Sequence, residues 1–537
     1  MKRFTLPKPL LLGLVVVALA TSVRAQHAGH RLAPIAMEIL ERPVPARTAI
    51  GRAHDTVETT SKEAQAFYDQ GLALLHSYSW IEAARSFHTA LNHDSKLAVA
   101  HVGLSIAYVE LNRTGEARKA IDAARTMTAS LPAHDRRHVD VRDLQMRAEE
   151  SPADPSRLAA YRKSLDEAVA AFPKDVEFLL LRGIAESADP ADRGQGSVAA
   201  SMPFYEKALA NAPGYFAAHH YLAHAFENTN RAPQALPHAS AFAKAAQQVP
   251  HARHMYGHSL WRVGRVFEAI TEFEAADRLH REYAKAEKIP LEADWHVEHN
   301  LGLLGTSLYY TGQAKRAETL LKASFALPTN LLVQAYNKRE WPMFLRARGR
   351  YAEAEAAAKV LLADPHPVVQ ATGHIEAGHV MLAQNRWGDA GNAANAALRL
   401  LRTAPGGGIA AAALLALQGE FNLRTAERTK GRATLEEAVR RMRAAPGPDA
   451  WAQALFQIEA IARASRSVGD WDLAGSMAKQ MMDHDSSYAG SHYAAALVAE
   501  HAEDAAVAKS EFAMAVKHWA KADQDLPELV EARRKAK

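Results

Sequence analysis

Residues 251–277 read HARHMYGHSLWRVGRVFEAITEFEAAD, and this stretch decides the fold. Apolar and small residues recur at spacings of three and four, the period of a helix face, on both sides of Val263-Gly264-Arg265. Gly257 on the first predicted helix and Ala269 on the second are small, so two antiparallel helices can approach closely. Trp261 and Phe273 fill the space beside them, and Ala276 continues the inner face. Gly264 serves the tight turn, and Pro250 closes off the helix before, since proline cannot continue one.

The same frame recurs in both directions. Ala223, Ala235, Ala239 and Pro250 mark the preceding hairpin, and Gly305, Gly312, Ala317 and Leu321 the following one. Gly71, Ala83, Phe87 and Ala90 mark the first. Gly349, Ala354 and Pro365, then Gly378, Ala390, Ala394 and Ala397, and late in the chain Asp470-Trp471 with Ala474 and Ala478, mark others. A period of about 34 residues with alternating small and large inner positions resembles the tetratricopeptide repeat. The expected fold is all-α, a right-handed α-solenoid of tetratricopeptide-like helical hairpins.

The ends and breaks divide the chain. Residues 1–25 read as a signal peptide, with Lys2, Arg3 and Lys8 before the apolar run Leu10 to Ala20 and a small-residue cut after Val23-Arg24-Ala25. The run is shorter than the ~20 residues a membrane-spanning helix needs. Residues 26–60 read as an extended leader interrupted by Pro34, Pro43 and Pro45, and 61–403 as the repeat array with a histidine-lined groove. A Gly-rich break at 404–408, further hairpins at 409–526 and a charged tail at 527–537 follow. The expected location is outside the cytoplasm, periplasmic or secreted, with no membrane span after signal cleavage.

Composition narrows the chemistry. The 64 Lys+Arg exceed the 60 Asp+Glu by four, and Lys2, Arg3, Lys8 and Arg24 account for that excess. The remaining chain is balanced, so it lacks the basic surplus that holds nucleic acid. With no cysteine, a metal would have to be held by His, Asp, Glu or water. Phosphate-binding Gly-rich loops ending in Lys-Ser or Lys-Thr, Gly-x-Ser-x-Gly elbows and His-Glu-x-x-His are absent from the sequence.

The 26 histidines carry the one chemical pattern. His220 and His224 are four apart, and so are His254 and His258, with the second pair 34 residues after the first. Each pair stands three before and one after its small residue, Ala223 or Gly257. His251 and His299 each stand six before Gly257 and Gly305, and Glu227 follows His224 by three. Spacings of three, four and seven share a helix face, and the first helices of stacked hairpins lie about 8–10 Å apart. The arrangement is able to bring His220, His224, His254 and His258 to one divalent transition metal, or to form two sites, with His251, His299 and Glu227 as partners. Imidazole suits Zn, Cu, Ni and Fe alike. Hydrogen-bonded packing across repeats and a proton-sensing or ligand-binding groove are the alternatives. His134 and His138, four apart, have no matching pair one repeat away, and His101, His280 and His296 show no comparable register.

Residues from about 64 to 345 resemble a broad group of bacterial tetratricopeptide proteins. The resemblance rests on Ala64 to Leu72, on His220-Tyr221-Leu222-Ala223-His224 with Glu227, on His251 through His254-Met255 to His258, and on His299-Asn300. Tyr256 stands where members commonly have Pro, and Ser79-Trp80 where they often have Asn-His. The resemblance implies the solenoid and brings no reaction with it. The expected function is a binding scaffold for a protein or peptide segment, with a metal in the groove as its special feature. The alternatives are a metalloenzyme using Glu227 as ligand or base, and a metal-free interaction scaffold.

Overall fold

The structure is a computed structural model and describes residues 34–329, 331–404, 406–425, 427–445 and 450–537. The expected signal peptide lies outside the described residues. Antiparallel helical hairpins follow one another through the chain, and no strand occurs among the described residues. Those that position the functional residues are α1 (Lys62–Leu75), α2 (Trp80–His93), α3 (Ala133–Glu150), α4 (Val176–Ile184), α5 (Phe216–Asn228), α6 (Ala232–Ala245), α7 (Pro250–Arg262), α8 (Val266–Glu287), α9 (Trp295–Tyr310) and α10 (Ala314–Ala326).

The small residues of the repeat frame sit against a large one sixteen positions on. A Cβ added at Gly71 would lie 2.5 Å from the Phe87 ring, at Gly257 2.7 Å from Phe273, and at Gly305 2.9 Å from Leu321. Those approaches hold the two helices of each hairpin at close range. The turn seven residues after each small residue adopts left-handed backbone, at Gly264 (φ 79°), Gly312 (φ 78°) and Asn230 (φ 57°), which these residue types tolerate. The corresponding residue of the first hairpin is Tyr78, at φ 58°, a strained position for an aromatic side chain.

The hairpins coil until the first meets the seam of α8 and α9. Tyr283 donates to Glu82 at 2.8 Å, Arg85 pairs with Glu287 at 2.8 Å, and the Trp295 indole N–H reaches the Tyr78 carbonyl at 3.5 Å. The segment before α1 is laid over this closure. Its residues 43–60 carry no helix, and a short one occupies Met37–Leu40. Val44 N–H donates to Thr89, Gln248 N–H to the Ala49 carbonyl, and Glu58 N–H to Asp135. Arg47 bridges Glu82 and Glu287. The faces of α5, α7 and α9 that would line an open groove are therefore enclosed.

The later hairpins form a second coil returning to α9. Tyr310 donates to Asp485 at 2.6 Å, and Asp523 N–H to the Gly312 carbonyl at 3.1 Å. Across the Gly-rich stretch, Leu417 fills the space beside Gly378, so the hairpins on either side share one core. The charged tail forms a helix, Pro527–Lys535, because Leu529 and Ala532, three apart, share a face that is buried, and Glu528 pairs with Arg348 at 3.0 Å. No helix among the described residues is long and apolar enough to cross a membrane.

Gly257→Val is expected to destabilise the protein by about 1–3 kcal/mol, as an overpacked core contact does. Gly388, whose Cβ position is open, gives the control: Gly388→Ala should be neutral or stabilising by up to about 1 kcal/mol. Chemical denaturation of both variants measures this, and equal stabilities would contradict the frame.

Candidate metal centre

Closure of the coil buries the histidines in register. His220, His224, His251, His254 and His258 are each at most 6% exposed. They sort into two sets of three: His220, His224 and His251, and His254, His258 and His299. Within each set the candidate ligand atoms lie within 4.8 Å of one another. Both sets follow one rule. Two histidines flank the small residue of one first helix, and the third stands six before the small residue of the next. The two i,i+4 pairs thus belong to different sets, rather than to one shared site. His251 completes the first set and His299 the second. The sets adjoin, with the His251 and His254 rings stacked at 6.0 Å.

Glu227 belongs to neither set. It is buried one turn beyond His224 and accepts the Ser259 hydroxyl at 3.0 Å.

The hydrogen bonds behind the sets fix the rings. His220 Nδ1 meets the His76 carbonyl at 2.7 Å, so it must carry the proton, leaving Nε2 as a lone pair. That Nε2 faces His224 Nε2 at 3.0 Å and His251 Nε2 at 2.9 Å. Behind His251 a chain runs outward: His251 Nδ1 to His296 Nε2 at 2.9 Å, His296 Nδ1 to His280 Nε2 at 3.2 Å, and His280 Nδ1 to Asp294 at 2.9 Å. A carboxylate only accepts, so His280 Nδ1 donates. With every ring neutral, each Nδ1 then donates to the next ring, and His251 Nε2 is left as a second inward lone pair. Asp294 also caps α9 through the His296 N–H, which sets its orientation. In the second set His254 Nδ1 meets Asn300 Oδ1 at 2.9 Å, while the Asn300 amide donates to the Phe273 carbonyl at 3.0 Å. His254 Nδ1 therefore donates and its Nε2 is a lone pair. His258 Nε2 is buried with no hydrogen-bond partner.

Burial pushes the pKa of His220, His251, His254, His258 and His296 well below the ordinary imidazole range, and neighbouring imidazoles push it further. Burial alone takes His224 down to about 3. These rings stay neutral where a free histidine, at a pKa of roughly 6.5, would begin to charge. Neutral imidazoles with inward lone pairs are what a transition metal requires. Donor atoms on bonds of about 2.0–2.1 Å stand about 2.9–3.4 Å apart around one ion, close to the 3.0 and 2.9 Å that separate His220 Nε2 from His224 and His251.

Several participants carry no register signal. His76 and Tyr78 come from the first hairpin, which only closure of the coil brings alongside α5 and α7. The Tyr78 ring lies 4.7 Å from His220 and 4.8 Å from His251, and its hydroxyl donates to the Arg193 carbonyl. His76 is held by the Tyr221 hydroxyl and Glu177 at 2.7 and 2.8 Å. His296 had a signal in its place three before His299, on the same helix face. His101 belongs to none of the sets.

A third group is of another kind. His134 and His138 on α3 meet Asp55 from the leader and Asp175 at the N-cap of α4. His134 Nε2 lies 2.8 Å from Asp175 and 3.3 Å from Asp55. Burial lowers the His134 pKa, but Asp135, Asp175 and Asp55 outweigh it and raise it to about 12. This group neutralises itself by ion pairing, which the two all-histidine sets cannot do.

No protein-family model and no curated protein matches the chain. Among solved structures it is similar to a tetratricopeptide repeat protein from Parabacteroides merdae, at 14% identity over 48% of this chain and 93% of that one, with a TM-score of 0.33. It is similar to the apo form of the quorum sensor NprR from B. thuringiensis at 13% identity, covering 73% of this chain and 99% of that one, TM-score 0.43. Yeast Tom70 gives 13% identity, 88% and 95% coverage and a TM-score of 0.33.

The depressed pKa values set an acid limit. Below about pH 6.5 the unfolded chain takes up protons that the folded core refuses, so stability falls with falling pH. The slope reaches up to about 1.4 kcal/mol per pH unit for each such group. His134 acts in the opposite sense and only above about pH 6.5, where the folded state alone holds its proton. Denaturation of metal-free protein at pH 7.5, 6.5 and 5.5 should show a loss of several kcal/mol over the last interval, and a flat profile would contradict buried neutral imidazoles.

Proposed function

We propose that this protein is an exported helical-repeat scaffold that binds divalent transition metal at two buried three-histidine sites. The observation that carries the reading is the direction of the hydrogen bonds. The Nδ1 protons of His220, His251 and His254 are all used outward, toward a carbonyl, a histidine chain ending on Asp294, and Asn300. That leaves the lone pairs of His220 and His251 facing each other at 2.9 Å, which repel unless a cation lies between them. Outer partners that orient ligating histidines in this way are a regular feature of metal sites.

The enclosure of both sets supports a structural or storage metal over a catalytic one, since catalysis needs an open coordination position. The place of Glu227, on Ser259, gives no support to its use as a base. Zn, Cu, Ni and Fe all suit imidazole, and the choice among them is left to the experiment. The helical-repeat scaffold supports a protein or peptide segment as the partner, bound outside the metal-bearing core.

Elemental analysis of the full chain purified from its native compartment should find about two metal ions per molecule. His258→Ala should remove one, and His224→Ala with His258→Ala both, with helical content by circular dichroism retained. Asn300→Leu, which removes the group orienting His254 and leaves all three histidines of that set in place, should weaken one site by about 10- to 100-fold. Wild-type protein holding no more metal than the double variant would overturn the reading.

A further inference from the structure

The second coil holds a partly open cavity of about 340 Å³ that the histidine sites do not use. It lies among the first helices of the later hairpins, so it occupies the surface that a repeat solenoid offers to ligands. Tyr309, Phe344 and Phe456 form its apolar wall, with ring centroids 5.2 Å apart from Tyr309 to each of the other two. Its size is at the lower end for small-molecule sites.

Four arginines and three glutamates reach this cavity. Two of the glutamates are matched within the protein. Glu420 is held by His379 at 2.7 Å and Arg424 at 2.8 Å, and Glu459 by Arg463 at 2.8 Å and Tyr488 at 3.0 Å. Glu340 takes the Thr306 hydroxyl at 2.7 Å.

Arg339 differs. It is 1% exposed, its Nη1 meets the Met343 sulfur at 3.3 Å, and among the described residues it forms no ion pair with a carboxylate. The Tyr336 ring lies 4.4 Å from its guanidinium, and the Gln457 amide, turned oxygen-first, accepts from Nη1 and Nη2 at 2.7 and 3.1 Å. Its Nε–H is buried without a partner. The Nε–H of Arg346 is likewise buried and unpartnered, and the carboxylate nearest that guanidinium, on Glu376, stands at 4.0 Å. A guanidinium cannot shed its charge, and burying one without a counter-charge is costly. Arg339, buried without a counter-charge, and Arg346, held only by the distant Glu376 and with its Nε–H unpartnered, stand at one aromatic-walled cavity and call for an anion with an apolar body.

We infer that this cavity binds a small organic acid, its carboxylate against Arg339 and Arg346 and its apolar body against Tyr309, Phe344 and Phe456. The planar fork of arginine fits a carboxylate bidentately, which favours an acid over a neutral ligand of the same shape. The free end of a peptide carries the same chemistry, so the test has an arm for it.

Calorimetric titration of the full chain with phenylacetate, benzoate and hexanoate, and with phenylacetamide as the uncharged counterpart, tests this. At least one acid should bind, and phenylacetate should exceed its amide by about tenfold or more. Arg339→Met and Arg346→Met should each weaken acid binding by about 10- to 100-fold and leave the amide unchanged. An acetylated dipeptide ending in phenylalanine distinguishes the source: tighter binding than phenylacetate assigns the carboxylate to a chain end, weaker binding to a free acid. If Arg339→Met fails to fold, Arg346→Met and the acid–amide comparison decide. Acid and amide binding alike, no binding of any acid at millimolar concentration, or folded variants binding as wild type would each overturn the proposal. Acid binding should persist in the His224→Ala, His258→Ala protein, which separates this inference from the metal reading.

Discussion

An imidazole packed out of water among other imidazoles must remain neutral, and that constraint organises this molecule. A second charge beside the first would meet both the loss of water and a like neighbour, a penalty of several kcal/mol for each ion. A neutral ring has one N–H and one lone pair. Once the N–H is committed outward, the lone pair is committed inward. His220 is committed by the His76 carbonyl, His251 by the chain to Asp294, and His254 by Asn300. The inward convergence therefore follows from bonds made on the far sides of the rings.

The enclosure comes from the coil. If the first hairpin did not meet α8 and α9, the histidine faces would be wet and the rings would titrate ordinarily. The Glu82, Arg85, Glu287 and Tyr283 cluster holds that meeting, with Arg47 of the leader laid across it. Tyr78 is the local cost. It takes left-handed backbone where most other hairpins have glycine or asparagine, and its ring is thereby laid against His220 and His251. Strain of this kind persists where surrounding structure over-determines it, and it clusters at functional sites.

The hairpins were legible in the sequence because their determinants are local. Gly257 and Phe273 sit sixteen residues apart, and their contact needs only two helices and a turn. The histidine register was legible for the same reason. What it could not supply was the partition, since an i,i+4 pair on one helix has a neighbour on either side and the repeat treats both alike. The residues at −6, His251 and His299, decide it, because the next helix enters the stack with its N-terminal turn beside the preceding pair. His76 and Tyr78 were illegible, standing about 145 residues from His220, where only the closed coil brings them. The third cluster, with Asp55 from the leader, was missed for the same cause: its partners lie on segments that share no repeat.

X-ray absorption spectroscopy of metal-loaded protein tests the central claim most directly. Two three-histidine sites predict a first shell dominated by imidazole nitrogen at about 2.0–2.1 Å, with the outer-ring scattering of about three histidines per ion. A first shell of oxygen alone, or one in which imidazole scattering survives unchanged in the His224→Ala, His258→Ala variant, would contradict it.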